Sequence, residues 1–141
     1  ITRLQNMGTP DYLISAACQL VVAQRLARKN CKECKVPDDD VNPKVLQDLG
    51  FSAEQATRTK AIKGKGCAKC SDTGYKGRQG VYEILVVSKP IKEAILRKAT
   101  TPELREIAIK EGFQTMQDMG RRLIAAGELN FREYERVLTS E

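Results

Sequence analysis

Two short stretches, Cys31-Lys32-Glu33-Cys34 and Cys67-Ala68-Lys69-Cys70, decide the fold of this 141-residue chain. Each stretch is a CxxC pair, and 32 residues separate the first pair from the second. Tetrahedral zinc prefers four thiolate ligands at about 2.3 Å, and a CxxC turn presents two of them to one side of the ion. We therefore expect one closed, structural zinc site, with these four ligands: Cys31, Cys34, Cys67 and Cys70.

Other uses of the four cysteines are weaker. The sequence shows no secretory signal, which disfavours a pair of disulfides. A redox-active CxxC usually opens a helix after a strand, whereas both pairs here lie in polar, lysine-rich stretches. Four thiolates also suit iron, so the sequence leaves the identity of the metal open. Cys18 stands apart in an apolar stretch, where we expect a small buried hydrophobic residue.

Periodicity outward from the cysteines predicts an α+β, mostly helical fold. Residues 12–29 carry apolar side chains at helical spacing without Gly or Pro, which indicates a long N-terminal helix. Residues 81–87 form an apolar, β-branched run and should be a strand whose partner is not evident. Signals for helix starts and stops then follow from Pro90 to the C-terminal end, which predicts a helical bundle.

We expect three regions in the chain. Residues 1–30 would be the helical end of a larger core, because the chain opens without Met inside an apparent helix. Residues 31–88 would be the zinc lobe, containing a helical insert marked by the capping signals Asn42-Pro43 and Ser52 to Gln55. Residues 89–141 would be a C-terminal helical subdomain.

Composition argues against several classes of enzyme. The chain has no His, which excludes a histidine-based triad and an HExxH zinc site. It contains neither a GxxxxGK[ST] phosphate loop nor GxGxxG, and no apolar run is long enough to cross a membrane. No candidate nucleophile has a base beside it. We therefore predict no catalytic residues and no nucleotide-binding residues in this stretch.

Positive charge concentrates around the cysteine pairs. Residues 25–35 carry five basic residues and one acid, and residues 58–78 carry seven and one. Part of this charge would offset a zinc tetrathiolate, and the rest could meet an anionic partner such as an acidic protein surface, lipid head groups or nucleic acid. A nucleic-acid-binding zinc ribbon is the weaker alternative, because Tyr75 is the one aromatic residue in these segments available for stacking.

Several motifs resemble the type IV pilus assembly ATPases and their type II secretion relatives. They include VVAQRLAR at residues 21–28, which runs into the first cysteine pair, and GCAKCSDTGYKGRQGVYE at residues 66–83. The opening Arg3-Leu4-x-x-Met7-Gly8 and the stretch from Gly127 to Val137 are also similar to this family. The resemblance covers essentially the whole chain.

The resemblance implies a bacterial cytoplasmic motor at the inner-membrane face of a pilus or secretion machine. Such ATPases are homohexamers that hydrolyse ATP with Mg²⁺ and act on an inner-membrane platform protein. This chain would be the C-terminal part of the ATPase, with the tetracysteine zinc lobe, and would be non-catalytic alone. Arg25 could sense nucleotide or a neighbouring subunit, although a simple helix-end charge is the plainer interpretation. Peripheral association with the membrane is compatible with the basic lobe, and nucleic acid is not an expected partner.

Overall fold

The computed structural model describes residues 1–139 and confirms an α+β, mostly helical fold. Its helices are α1 (Thr2–Asn6), α2 (Asp11–Ala17), α3 (Pro43–Asp48), α4 (Ala53–Arg58), α5 (Lys89–Leu96), α6 (Thr101–Lys110), α7 (Met116–Ala125) and α8 (Phe131–Tyr134). Its strands are β1 (Leu20–Asn30), β2 (Lys35–Pro37), β3 (Ile62–Gly64) and β4 (Tyr75–Val86). A 3₁₀ turn (Ala68–Cys70) precedes β4, and a π-helical turn (Glu135–Thr139) follows α8. Within residues 1–139, none of the helices has the length and apolar character needed to span a bilayer.

The chain forms two compact units, each built from two separate stretches. The first unit consists of Ile1–Ala23 and Glu83–Thr115, and the second of Gln24–Tyr82 with the stretch from Met116 onward. Strands β1 and β4 pair with each other, and each runs from one unit into the other. The three regions expected from the sequence do not share the boundaries of these two units, and the division into three regions stays a prediction.

The first unit has an aliphatic core between α2, α5 and α6. Ile14 of α2 packs with Ile91 and Ile95 of α5 and with Leu104 of α6, all of them buried. Cys18 is partly buried against this core, close to its expected role as a small hydrophobic residue. Burial of these side chains, each worth about 2 kcal/mol, stabilises helices that are too short to persist alone.

The long N-terminal helix predicted over residues 12–29 is wrong. Helix α2 ends at Ala17, and the rest of that stretch is β1, the strand partner that the sequence did not reveal. The leucines and alanines there fit a helical spacing, but Val21 and Val22 are β-branched and favour extended backbone. Exposure over the first five residues of β1 also alternates, with Val22 exposed and Val21 packed inward, as in a half-buried strand.

The second unit contains the cysteines. Strands β2 and β3 form an antiparallel pair in which Lys35 faces Gly64 and Pro37 faces Ile62. Between them lie α3 and α4, the helical insert expected from the capping signals. The Asn42 side chain accepts the Val45 N–H at the start of α3, and a capping box of Ser52 and Gln55 begins α4. The insert therefore brings the chain back beside the first cysteine pair.

Helix α7 packs against the C-terminal end of the described chain. A Cβ built on Gly120 would lie 2.8 Å from Tyr134 Cε2 and would also collide with Leu138. Tyr134 and Leu138 are both buried, so the missing side chain at Gly120 allows these two elements to approach closely. The approach holds α8 in place beside the second half of β1.

Candidate metal centre

Four cysteine sulfurs converge in the second unit. The Sγ atoms of Cys31, Cys34, Cys67 and Cys70 all lie within 4.8 Å of one another. Three separations are 3.8 Å for Cys31–Cys67, 3.9 Å for Cys34–Cys70 and 3.7 Å for Cys67–Cys70. All four are free thiols, and Cys31 and Cys70 are buried. The structure thus brings together every residue that the sequence predicted as a metal ligand.

These distances fit a shared ion rather than disulfides. A regular tetrahedron with about 2.3 Å between metal and sulfur has sulfur–sulfur edges of about 3.8 Å. A disulfide requires about 2.05 Å between sulfurs, far shorter than the separations here. Four thiolates without an open position are typical of structural zinc sites, and these four cysteines are close enough to hold such an ion.

Backbone amides in and beside the second cysteine pair donate to two of the sulfurs, one from each pair. Gly66 N–H donates to Cys34 Sγ over 3.3 Å, and Cys70 Sγ accepts from the N–H groups of Cys67 (3.3 Å) and Gly74 (3.2 Å). These bonds stabilise negative charge on sulfur, which a thiolate ligand carries. Gly66, whose N–H makes the first of these bonds, has φ of +107°, a conformation that favours glycine.

The two accepting sulfurs have opposite pKa shifts. Burial opposes ionisation of Cys70, but the two amide hydrogen bonds and those from the Cys67 and Cys34 thiols together outweigh it and lower its pKa from 9.0 to about 6. For Cys34, the amide of Gly66 favours the thiolate, yet burial and the three neighbouring thiols outweigh it and raise the pKa to about 11. Four sulfurs this close therefore do not all ionise together without a cation among them.

A loop after α7 contacts the chain on both sides of the first cysteine pair. Asn30, immediately before Cys31, donates its backbone N–H to Glu128 O over 2.9 Å. The carboxylate of Glu128 lies 3.6 Å from Lys29 Nζ and 4.0 Å from Lys35 Nζ. The loop therefore holds the residues that precede and follow the first pair.

A buried carboxylate connects β1 with α8. Glu133 Oε2 accepts the Arg28 N–H over 2.5 Å, and both its oxygens accept from the Arg28 guanidinium and from that of Arg136. Its side chain is fully buried, whereas both guanidiniums stay about half exposed. Burial favours the neutral acid, but the bonds from Arg136 and Arg28 outweigh it and lower the pKa of Glu133 to about 2. Arg28 also stacks over the ring of Tyr75, 4.1 Å from its centroid.

The comparisons with known proteins identify the family of this chain. A family model described as "Type II/IV secretion system protein" matches residues 1–136. The chain belongs to this family.

Curated members of the Type II/IV secretion system family resemble the chain over most of its length. The type IV pilus assembly ATPase PilB of Thermus thermophilus is 41% identical over 120 residues, which are 85% of this chain and 13% of that protein. The protein of the same name from Myxococcus xanthus is 33% identical over 133 residues, 94% of this chain and 24% of the relative. The type II secretion system protein HxcR of Pseudomonas aeruginosa is 32% identical over 137 residues, 97% of this chain and 25% of the relative. The chain thus spans about a quarter or less of the length of these relatives.

Sequence reasoning missed two residues in this secretion-system family member. Asn30 carried no signal beyond its place before Cys31, and the spacing of Asn130 and Glu133 is that of a capping box, which predicts a helix start and no ion pair. Asn130 does accept the Glu133 N–H over 2.7 Å, but the Glu133 carboxylate turns to the arginines instead. Arg25 lies on β1, so the interpretation as a helix-end charge is wrong; its guanidinium donates to Val137 O over 2.6 Å.

Proposed function

We propose that this chain is a zinc-bound structural and interaction region of an ATPase that powers type IV pilus assembly. The observation that carries the proposal is the cluster of four thiols, found in a chain that belongs to the secretion-system family. Several of its relatives are named as type IV pilus assembly ATPases, and one of them has the 41% identity reported above.

Zinc is the metal that best suits the donor set. Four sulfur ligands without an open position favour zinc, which would supply a structural cross-link and no chemistry at a substrate. The residues we assign as ligands are Cys31, Cys34, Cys67 and Cys70. The backbone amides of Gly66, Cys67 and Gly74 would stabilise the thiolate charge, and the two cysteine pairs would join segments distant in the sequence.

ATP hydrolysis would belong to the longer parent protein. We propose that the parent is a homohexamer in the bacterial cytoplasm, beside the inner membrane, and that it binds ATP and Mg²⁺ outside this stretch. This region would follow the nucleotide-binding motifs as the C-terminal part of the ATPase domain. The relatives named as ATPases are at least four times as long as the part that matches this chain, which supports the assignment.

The basic surface around the cysteines is our candidate for docking. Lys32 and Lys69, inside the two CxxC turns, are exposed, as are Lys76 and Arg78 beyond the second turn. A zinc tetrathiolate carries a formal charge of −2, so much of this positive charge remains for a partner. We propose that the partner is an inner-membrane platform protein, with peripheral contact to the membrane as an additional possibility. Arg25 could still report on a neighbouring subunit.

The alternative is the same region of a type II secretion ATPase. The relatives named for type II secretion are 31–33% identical to the chain, close to the values of most of the pilus proteins. The structural role of the metal would be the same in both cases.

Metal content is the first test. The purified chain should contain one zinc per molecule by elemental analysis, with one reactive thiol that becomes five after treatment with a strong chelator. A Cys18→Ser variant should keep the zinc, since Cys18 lies in the other unit. A folded wild-type chain with five reactive thiols and no metal would overturn the zinc assignment.

Chimeras would separate pilus assembly from secretion. This chain would replace the matching region of a PilB protein and, separately, of a type II secretion ATPase, in strains that lack each ATPase. Restored pili without restored secretion would support the pilus assignment, and the reverse result would favour the alternative. A chimera carrying Cys31→Ser serves as the control in both strains.

A further inference from the structure

Asn30 connects three separate segments around the cysteine cluster. It is the last residue of β1 and only 1% exposed. Its Nδ2 donates to Ile62 O and to Gly127 O, each over 3.1 Å, while its N–H donates to Glu128 O over 2.9 Å. The two carbonyls can only accept, which fixes the orientation of the amide.

The segments that Asn30 joins lead to both cysteine pairs. Cys31 follows Asn30 directly, so the amide fixes the backbone from which the first pair begins. Ile62 opens β3, which pairs with β2 just after the first pair and leads on to Cys67. Gly127 belongs to the loop whose Glu128 carboxylate contacts lysines on both sides of the first pair.

A second connection acts in the same place. Cys31 N–H donates to Gly74 O over 2.9 Å, and Gly74 N–H donates to Cys70 Sγ. Cys31 is thus bonded to the segment that follows the second pair, through Gly74. Asn30 bonds the same part of the chain to the segment that precedes the second pair, through Ile62. Loss of the Asn30 amide would leave one buried and one partly buried carbonyl without these donors and would free one of the two connections.

We propose that Asn30 is a positioning residue for the metal, which fixes the two cysteine pairs relative to each other before the ion binds. The inference rests on the proposed zinc site. Metal affinity includes the cost of ordering the ligands, so an amide that orders them in advance raises affinity without touching the ion. Changes in such outer-shell residues typically lower metal affinity about 10- to 100-fold.

The test compares Asn30→Ala with Asn42→Ala in the 141-residue chain. Asn42 is a matched control, because its amide caps α3 in the same unit and contacts neither cysteine pair. Zinc affinity is measured by competition with a chromogenic chelator, and the ligand set by the absorption of bound Co²⁺. We expect Asn30→Ala to bind zinc about 10- to 100-fold more weakly, while the tetrahedral thiolate spectrum is retained at saturating cobalt. Asn42→Ala should keep the affinity of the wild type.

Equal zinc affinities for Asn30→Ala and the wild type would overturn the inference, as would equal losses in the two variants. If Asn30→Ala does not fold without metal, Asn30→Ser retains one donor and should show an intermediate affinity; unchanged affinity there would also overturn it. A wild-type chain that binds neither zinc nor cobalt would instead contradict the proposed zinc site itself.

Discussion

Gly64 and Gly74 lie directly against each other, because a Cβ built on Gly74 would be 2.5 Å from the carbonyl oxygen of Gly64. Gly74 also has φ of +80°, a backbone conformation that other residues rarely adopt. Its carbonyl accepts the Cys31 N–H, and its own N–H donates to Cys70 Sγ. This contact between two glycines therefore lies between the two halves of the cysteine cluster.

Replacement of Gly74 by alanine should destabilise the second unit strongly. The added methyl meets backbone rather than a flexible side chain, so the cost should exceed the roughly 1–2 kcal/mol of the positive φ alone. Gly112→Ala is the control, since Gly112 has φ of +94° and open space around the missing Cβ. Urea unfolding of both variants gives the comparison, and equal losses would contradict the steric argument.

Removal of the buried charge at Glu133 should lower the free energy of unfolding by roughly 2–3 kcal/mol at pH 7, because the neutral amide loses charge-assisted hydrogen bonds from two arginines that stay half exposed. The variant is Glu133→Gln, measured by denaturant unfolding. Glu54→Gln is the control: Glu54 pairs with Arg58, but both side chains are more than 70% exposed. That change should stay within about 0.5 kcal/mol. A loss at Glu133 as small as this would contradict a structural role for the buried group.

The contribution of Glu133 should also depend on pH in a defined direction. Its pKa is lowered from 4.5 to about 2 in the folded chain, so the folded state favours the charged form. The stabilisation is complete above the unfolded pKa and is lost as the pH falls from about 5 to about 2. The difference in unfolding free energy between wild type and Glu133→Gln should thus be constant from pH 7 to 5 and then shrink. Protonation of thiolates affects both proteins and cancels in the difference, and a gap that widens on acidification would refute the assignment.

Loss of one proposed ligand should release the metal. Cys67→Ser should abolish stoichiometric zinc and lower the melting temperature, because structural zinc contributes on the order of 10 kcal/mol of binding free energy. Cys18→Ser is the matched change outside the cluster and should keep one zinc. Calorimetry with elemental analysis tests both variants; full zinc content and unchanged melting in Cys67→Ser would exclude this ligand.

Local signals predicted much of the fold. The spacing of the cysteine pairs predicted which four thiols converge, and capping residues such as Asn42 and Ser52 marked helices that the structure confirms. These signals work because a cap and a CxxC turn are stabilised by residues within a few positions. The identity of a bound metal stays a prediction.

The failures of prediction involve partners that are distant in the sequence. The sequence of β1 predicts a helix because its partner β4 begins 45 residues after β1 ends, and leucine and alanine fit either periodicity. Asn30 and Glu133 meet partners 97 and 105 residues away. No local pattern marks such residues, because their roles arise only when the chain is folded.

The separation between Arg28 and Glu133 also bears on the order of events during synthesis. All four cysteines leave the ribosome more than 50 residues before Glu133 and the loop that receives the Asn30 amide. The four cysteines can therefore come together before Glu133, the partner of Arg28, has been synthesised. The C-terminal segment packs against β1 last. A nascent chain halted before residue 127 would contain all four cysteines and the bond from Asn30 to Ile62 O, but it would lack the bonds from Asn30 to Gly127 O and Glu128 O.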